Sequence, residues 1–508
     1  MLQVNAGEVL AFDYRVLHRA LEHGGKEVRP LLYYTFTKRW FSDAMNFADL
    51  PSLTEADGKL PMKMGEDWRQ HFPSILKDER QVFCDGAAGS QVPEVVISRM
   101  RDHLMEVGCS NVGGDYPTSQ KVLNVVSKAR AAGRDLLGAQ FSGEIAFGLN
   151  CSNLMFHLAR SMESNLFSPG DNILLSRACH DANIAPWLHL AKNAKMEVRW
   201  LETSVSGNHS DKIDINKISG LIDEKTRVIS LGLASNATGR IHLDVVKRIN
   251  EISETFSTKP FLILDATHFV PHRRCHLEEL QADAILCSAY KFFGPHIGIM
   301  AYNKKRLEIL KPSKVGLRFA EDGLIERDVL DPGDVPTLDN CEISRWEMGT
   351  LNYEGLAGFE ACVDYIASLA GEMQTSSDRS LSIDLAYVEI QKHEELLSNR
   401  FLSRIQPLLD QNVLNLFGSR ESQERTPTFA ISLSDVAKSK IGSHDPYYLV
   451  KKLNERNIFC THGNHYAVEL VENSLKQVEG VTRISFLHYN TVEEVDRVVD
   501  ELENILEL

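Results

Sequence analysis

Lys291 is the residue with the most chemistry in its setting. It stands in Ser288-Ala289-Tyr290-Lys291-Phe292-Phe293-Gly294-Pro295-His296, directly after the apolar run 284–287. A strand that ends in Ser-x-x-Lys, followed by an aromatic pair and Gly-Pro, sets one amine at the mouth of a sheet. A lysine there is costly unless it has a partner or a covalent task. Upstream, the apolar run 260–264 ends in Asp265. Taken alone, Ser-x-x-Lys is a weak motif, and a surface lysine is its ordinary meaning.

Other polar residues fall at the same kind of place. After 145–147 comes Gly148-Leu149-Asn150-Cys151-Ser152-Asn153, a small-residue turn that opens the helical run 154–162. Free N–H groups and the positive dipole end of such a helix suit a phosphate; the alternative is an ordinary N-cap by Asn150 or Ser152. After 172–175 comes His180-Asp181-Ala182-Asn183, with a histidine able to lie flat on a ring or to serve structure alone. After 228–231 comes Ala234-Ser235-Asn236-Ala237-Thr238-Gly239, an amide-bearing turn or plain turn chemistry. Phosphate turn, histidine, amide, aspartate and lysine follow one another at successive strand ends. An amine for a Schiff base and a carboxylate for a pyridinium nitrogen are the two groups that pyridoxal phosphate needs.

These positions require an open sheet with its carboxyl ends on one side, where ligands of α/β folds bind. From residue 81 onward, strand-like runs at 81–84, 172–175, 196–200, 227–231, 260–264, 284–287 and 297–301 alternate with amphipathic segments. One of these, 122–137, carries Val122, Val125, Val126, Ala129, Ala132 and Leu136 at helical spacing. That alternation predicts an α/β domain with a largely parallel sheet covered on both faces. Two long helices, 355–374 and 381–407, lead into a smaller α+β pattern: strand 428–433, helix 446–456, strands 457–460 and 483–487, helix 492–506.

The chain has 508 residues, 43% apolar and 25% charged, with a net charge of −15. Its length implies more than one domain. The acidic balance without a basic block argues against nucleic acid or an anionic membrane as partner. No apolar run reaches the roughly 18–20 residues of a membrane span, and the N-terminus has no signal-peptide core. Nine scattered cysteines without a Cys-x-x-Cys pair fit reduced thiols in the cytoplasm; no metal site is expected.

From about 81 to 508 the chain resembles the class V aminotransferase family, within it the cysteine-desulfurase-like branch. The matching stretches are Phe83-Cys84-Asp85-Gly86-Ala87-Ala88-Gly89, Pro169-Gly170-Asp171, His180-Asp181-Ala182-Asn183, Ser235-Asn236-Ala237-Thr238-Gly239, Asp265-Ala266-Thr267-His268, Ser288-Ala289-Tyr290-Lys291, Glu347-Met348-Gly349-Thr350 and Arg483. The resemblance implies a pyridoxal-phosphate enzyme of fold type I that acts on an amino acid. It implies a mostly parallel seven-stranded sheet in a large domain (81–354), a smaller C-terminal α+β domain (355–508) and a homodimer; the polar, aperiodic stretch 51–80 reads as a linker.

Residue by residue, it implies that Lys291 forms the Schiff base and moves protons at Cα. Asp265 holds the ring nitrogen protonated and His180 stacks on the ring. Asn236 and His268 reach its phenolic oxygen. Cys151, Ser152, Ser288 and Tyr290 cradle the phosphate, joined by Thr350 from the second subunit. Arg483 clamps the substrate carboxylate, with Ala87 and His465 beside it. Relatives often carry glutamine where His268 stands and Thr-Thr in place of Cys151-Ser152.

One departure bears on the reaction. Where cysteine desulfurases carry Gly-x-His-Cys-Ala, this chain has Gly463-Asn464-His465-Tyr466-Ala467, and Thr461 stands where relatives place an arginine. Tyrosine is not a useful sulfur acceptor at pH 7. Cys460 lies on an expected strand, where a thiol packs as a small apolar group. Tyr466 is therefore read as a general acid/base near Cα or Cβ, or as a wall of the pocket. The expected reaction is β-elimination that cleaves a C–S bond without a cysteine acceptor; transamination or epimerisation at Cα is the alternative, and a binding protein without turnover is a third reading. Side-chain selection is expected in the loops 314–337 and 463–472.

Residues 1–50 have a different texture. Stretches from Glu8 to Arg19 and from Arg29 to Tyr33, with 40–47, resemble the tail of phytanoyl-CoA dioxygenase-type oxygenases. Only His18 and Arg29 of that family's ligands are present, and one histidine cannot make a 2-His-1-carboxylate iron site. This segment is read as a catalytically dead barrel remnant.

Overall fold

The apolar runs at 261–265, 284–288 and 298–302 are buried at every position, the mark of strands covered on both faces. The computed structural model describes residues 64–506 apart from 164–165, 205–210, 313–316, 321–322, 327–343 and 372–377. The oxygenase-like remnant at 1–50, with His18 and Arg29, and most of the expected selectivity loop at 314–337 lie outside the described residues. Within that loop the backbone of a hairpin is described, its strands Leu317–Ala320 and Gly323–Glu326 pairing antiparallel.

The strands are β1 (Val82–Phe83), β2 (Ile145–Gly148), β3 (Asn172–Ser176), β4 (Glu197–Leu201), β5 (Thr226–Gly232), β6 (Phe261–Asp265), β7 (Ala284–Ser288) and β8 (Gly298–Tyr302), then the hairpin strands β9 and β10. They continue with β11 (Leu414–Phe417), β12 (Thr428–Leu433), β13 (Ile458–Phe459), β14 (Thr461–Gly463) and β15 (Val481–Ser485). A seven-stranded sheet has the order β2-β8-β7-β6-β5-β3-β4. Its β4-β3, β3-β5, β5-β6 and β6-β7 pairs are parallel, and only β8 runs against its neighbours β7 and β2. This is the α/β, mostly parallel seven-stranded sheet expected from the sequence.

Its membership differs in one strand. The run at 81–84 is not in this sheet: Val82 and Phe83 pair in parallel with Ile458 and Phe459. Val82 and Cys84 are buried with Phe486, Leu453 and Ile484 in a second core. A two-residue strand has too little pattern to name its partner, and the seventh strand of the large sheet is instead β2, directly before the Gly148 turn.

The helix Pro117–Leu137 begins five residues before the expected 122, because Pro117 supplies the fixed φ of a first helical turn. It ends at Gly138, whose φ of 61° is the left-handed C-cap conformation. With the helices Glu94–Glu106 and Tyr353–Ser368 it packs on the large sheet and builds the first core. Tyr353–Ser368, placed with the small domain by a division at 355, buries Leu356, Phe359, Val363 and Ile366 in this first core. The short helices Met64–Arg69 and Pro73–Leu76 fall in the stretch read as a linker, yet Trp68, Phe72 and Ile75 belong to the same core. Each is a single aromatic or aliphatic residue in a polar segment, too sparse to show a period.

The four-stranded antiparallel sheet β11-β12-β15-β14 carries the second core. The sequence missed β11, β14 and the helix Asp435–Ile441, and set β15 two residues late. A 32-residue helix, Arg379–Asp410, joins the two cores. At 1.5 Å per residue it is about 48 Å long. Its first half places Ile383, Ala386, Tyr387 and Ile390 in the first core, its second half Leu397, Phe401, Ile405 and Leu408 in the second. Residues 62–508 form one compact unit, and none of its described helices is long and apolar enough to cross a membrane.

Candidate active site

Because β2, β3, β5, β6 and β7 run in one direction, Gly148, Ser176, Gly232, Asp265 and Ser288 end on the same edge of the sheet. The turn after β2 is closed by Asn150, which N-caps the helix Cys151–Ser161 by accepting the Asn153 N–H at 2.8 Å. Ser288 Oγ accepts the Cys151 N–H at 2.8 Å and so ties β7 to the same helix start. Gly298 is needed beside it, since a Cβ there would come within 2.5 Å of the Asn150 backbone. Ser152 sits half-buried in this first turn, where N–H groups have no intrahelical partner. Cys151, Ser152 and Ser288, the residues expected to cradle a phosphate, thus come together at one helix start.

Cys151 Sγ lies 3.8 Å from Asp265 Oδ1, and burial together with that carboxylate pushes its thiol well above the ordinary range. Asp265 is 9% exposed and accepts the Thr267 N–H at 2.9 Å.

Lys291 follows β7 in a single 3-10 turn. Its Nζ donates to the carbonyls of Ala87 at 2.5 Å and Ala88 at 2.7 Å. Burial lowers its pKa to about 7; the Arg483 charge adds to the fall, and Asp85 and Asp265 oppose it. The amine also stands 5.1 Å from the centre of the Tyr290 ring, which stacks on His296 at 4.8 Å and 8°.

His180 Nδ1 accepts the Ala182 N–H at 3.0 Å, so the ring proton resides on Nε2. Burial holds its pKa below the usual value, opposed by Asp265 and aided by Lys291 and Arg483. The result is a neutral, flat imidazole in the field of all three groups. Tyr466, 70% exposed, places its ring 5.5 Å from that of His180 at 34°.

The second sheet contributes Arg483 from β15 and the loop after β14. Arg483 is 4% exposed and makes an ion pair with Asp85 at 2.9 Å; its Nη1 donates to the Asn236 carbonyl at 3.1 Å. Asn236 Nδ2 in turn donates to the His465 carbonyl at 2.8 Å. His465 and Tyr466 both have left-handed backbones, φ 53° and 56°, a conformation that costs non-glycine residues roughly 1 kcal/mol or more each. The contact from Asn236 and the Asp181 N–H on the Tyr466 carbonyl at 2.7 Å hold them there. His465 Nε2 meets the Val481 carbonyl at 3.1 Å, and burial pulls its pKa down to about 3, with Arg483 adding to the fall.

Lys291, Asp265, His180, Asn236, Cys151, Ser288, Tyr290, Arg483, Ala87, His465 and Tyr466 therefore meet in one place. His268 is close enough to feel Lys291 and Arg483, but its Nε2 is taken by the Thr426 and Thr428 hydroxyls, each at 3.1 Å. Thr350 stands apart: Met348, Gly349 and Thr350 are exposed. Their turn is anchored by Glu347, which is buried, pairs with Arg130 at 2.7 Å and accepts the Phe147 N–H of β2 at 3.0 Å. Sequence reasoning gave no role to Asp85, Thr461, Arg130 or Glu347. Asp85 and Glu347 lie inside quoted stretches, which was the available signal; the partners of a buried ion pair 217 residues apart leave none.

The geometry is matched by kinship. The family model of class V aminotransferases fits residues 82–498, and the chain belongs to that family, whose enzymes use pyridoxal phosphate on amino acids. It is 27% identical to an aminotransferase-like protein of Gibberella zeae over 87% of this chain and 98% of that one. It is 26% identical to a cysteine desulfurase of Pectobacterium carotovorum over 86% and 97%. In fold it is similar to the apo cysteine desulfurase of Thermococcus onnurineus, with a TM-score of 0.71 at 21% identity over 88% of this chain and all of that one. The cysteine desulfurase CsdA of Escherichia coli gives 0.67 at 22% over 87% and 98%.

Proposed function

We propose that this site binds pyridoxal phosphate at Lys291 and removes the Cα proton of an amino acid, then eliminates a β-substituent through a C–S bond. The observation that carries this reading is the Lys291 amine: buried, depressed to about 7, and flanked by Asp85, Asp265 and Arg483. An amine so tuned is substantially neutral at pH 7, as a nucleophile toward an aldehyde and a base toward Cα both require. Two buried polar atoms facing this cluster, Asn236 Oδ1 and Arg483 Nε, lack partners, which supports a polar ligand between the two sheets.

When bound, pyridoxal phosphate supplies an aldehyde carbon and a ring that takes up the electron pair left at Cα. The chain does the rest. The carboxylate of Asp265 would hold the ring nitrogen, and the neutral His180 would cover the ring. Asn236 would serve the phenolic oxygen, with His268 nearby. The first turn of the helix Cys151–Ser161, with Ser152, Ser288 and Tyr290, would take the phosphate. Arg483 holds the substrate carboxylate, with Ala87 and His465 lining the same wall. Lys291 carries the Cα proton.

Among the described residues, the cysteines at this edge are poor sulfur acceptors. Cys151 is raised well above its usual range, and Cys460 is pushed up to about 12 by burial. Tyr466 occupies the acceptor's place, which favours elimination without persulfide formation. Transamination or epimerisation at Cα is the second reading, since neither requires that acceptor. We place the enzyme in the cytoplasm as a homodimer in which Thr350 reaches the partner's phosphate; the eight free cysteines among the described residues and the exposed Thr350 turn support this. The deciding experiment screens amino acids against the purified holoenzyme for a change in cofactor absorbance and identifies each product by mass. Release of a 2-oxo acid and a sulfur species supports elimination; an aminated cofactor or a racemised substrate rejects it.

A further inference from the structure

We propose that Asp85 is a positioning residue for the substrate clamp: it orients Arg483 so that the Nε edge of the guanidinium faces an incoming α-carboxylate. The inference rests on the reading of Arg483 given above. Two of the three guanidinium nitrogens are held by the protein. Nη1 donates to the Asn236 carbonyl at 3.1 Å and Nη2 to Asp85 Oδ1 at 2.9 Å. Nε is buried and has no partner. A guanidinium binds a carboxylate through two N–H groups in one plane, so pinning two nitrogens selects the edge that contains the third.

Asp85 is itself fixed. Thr461, opposite Arg483 in the β14–β15 ladder, donates its hydroxyl to the same Oδ1 at 3.0 Å. The Gly86 N–H binds the Ser485 carbonyl at 3.1 Å. Position 86 must be glycine for that approach, since a Cβ would lie 2.7 Å from Leu487 Cγ. The next two carbonyls of the turn, Ala87 and Ala88, accept the Lys291 amine. One turn of four residues thus sets both the amine and the clamp. Asp85 also keeps a fully buried guanidinium paired while no substrate is bound, which avoids a large desolvation cost.

The test compares two probes on the holoenzyme, aminooxyacetate and methoxyamine. Both react at the bound aldehyde carbon, and only the first carries a carboxylate, so the ratio of their rates reports the clamp. Arg483→Ala should bring the ratio toward one; if it does not, the reading of Arg483 fails and the role of Asp85 with it. Asp85→Ala should lower the ratio by about tenfold, the effect of one misplaced charge-assisted bond, with cofactor absorbance retained. Asp85→Asn keeps an acceptor for Nη2 and Thr461, and should stay within about threefold of wild type. In the apoprotein both variants remove the anion that opposes the depression of Lys291, so the pH midpoint of cofactor capture should fall in both. An unchanged ratio in Asp85→Ala beside a collapsed one in Arg483→Ala overturns the proposal. So does an equal loss in Asp85→Ala and Asp85→Asn, which would assign the effect to charge and not to orientation. Should Asp85→Ala not fold, Thr461→Val takes its place: a fall of about threefold is expected, and no fall counts against.

Discussion

The two walls of the site are built differently. On the large-sheet side, Lys291, Asp265, His180 and Ser288 sit at or just beyond ends of buried strands, on ordinary backbone; Ser288 and Lys291 bond to distant segments, Asp265 and His180 to the turns that follow them. On the small-sheet side, His465 and Tyr466 ride a loop with two successive left-handed residues, and Tyr466 is mostly exposed. The first wall is specified by strand register and would hold its shape through wide changes of surface sequence. The second is held by contacts from Asn236, Asp181, Asn464 and Val481, and the Tyr466 ring reaches the first wall only at His180. The residues proposed to hold the cofactor stand mainly on the first wall; Tyr466, where desulfurases carry cysteine, stands on the loop.

Breaking the rigid wall should have the larger consequences. Lys291→Ala should abolish both the visible absorbance of bound cofactor and turnover, with the fold intact by circular dichroism; turnover near the wild-type rate would remove Lys291 from its role. Glu347→Ala should cost about 3–5 kcal/mol of stability, because it removes the carboxylate paired with the buried Arg130; a melting curve within a degree of wild type would show that the pair contributes little.

The Lys291 amine offers a pH test. Its value near 7 lies far below that of free lysine. The neutral fraction therefore grows as pH rises through 7 and is nearly complete by about pH 8. The rate of cofactor capture by the apoprotein should rise across that window and then level; a rate still climbing toward pH 10 would mean an unperturbed amine.

The smaller effects concern the open side. Thr350→Ala should weaken cofactor retention by about 1 kcal/mol, one lost charge-assisted hydrogen bond, and only in the dimer, as sedimentation with cofactor titration would reveal. Tyr466→Phe should leave turnover within about threefold if the ring is a wall beside His180; a loss of about a hundredfold would instead place a proton on its hydroxyl.

The contrast also explains what could be read in advance. Runs such as 261–265 and 284–288 are continuous, apolar and long enough to count, so the sheet and the residues at its ends were legible. Val82 and Phe83 were recognisable as a strand, but two residues carry no information about a partner at 458–459. The helices at 64–76 escaped because each buries only one or two large side chains. Asp85 was visible and its task was not, since its partner Arg483 lies 398 residues away and pairing at that distance is a property of the folded chain alone. The hydrogen bonds that occupy His268 Nε2 come from Thr426 and Thr428, unremarkable residues in sequence.

The helix Arg379–Asp410 has a consequence for how such a protein can evolve. It feeds side chains to both cores without a break, and the chain visits the second core at Val82–Cys84 long before it returns there at Leu397. The second core is therefore discontinuous along the gene, and no single cut excises it.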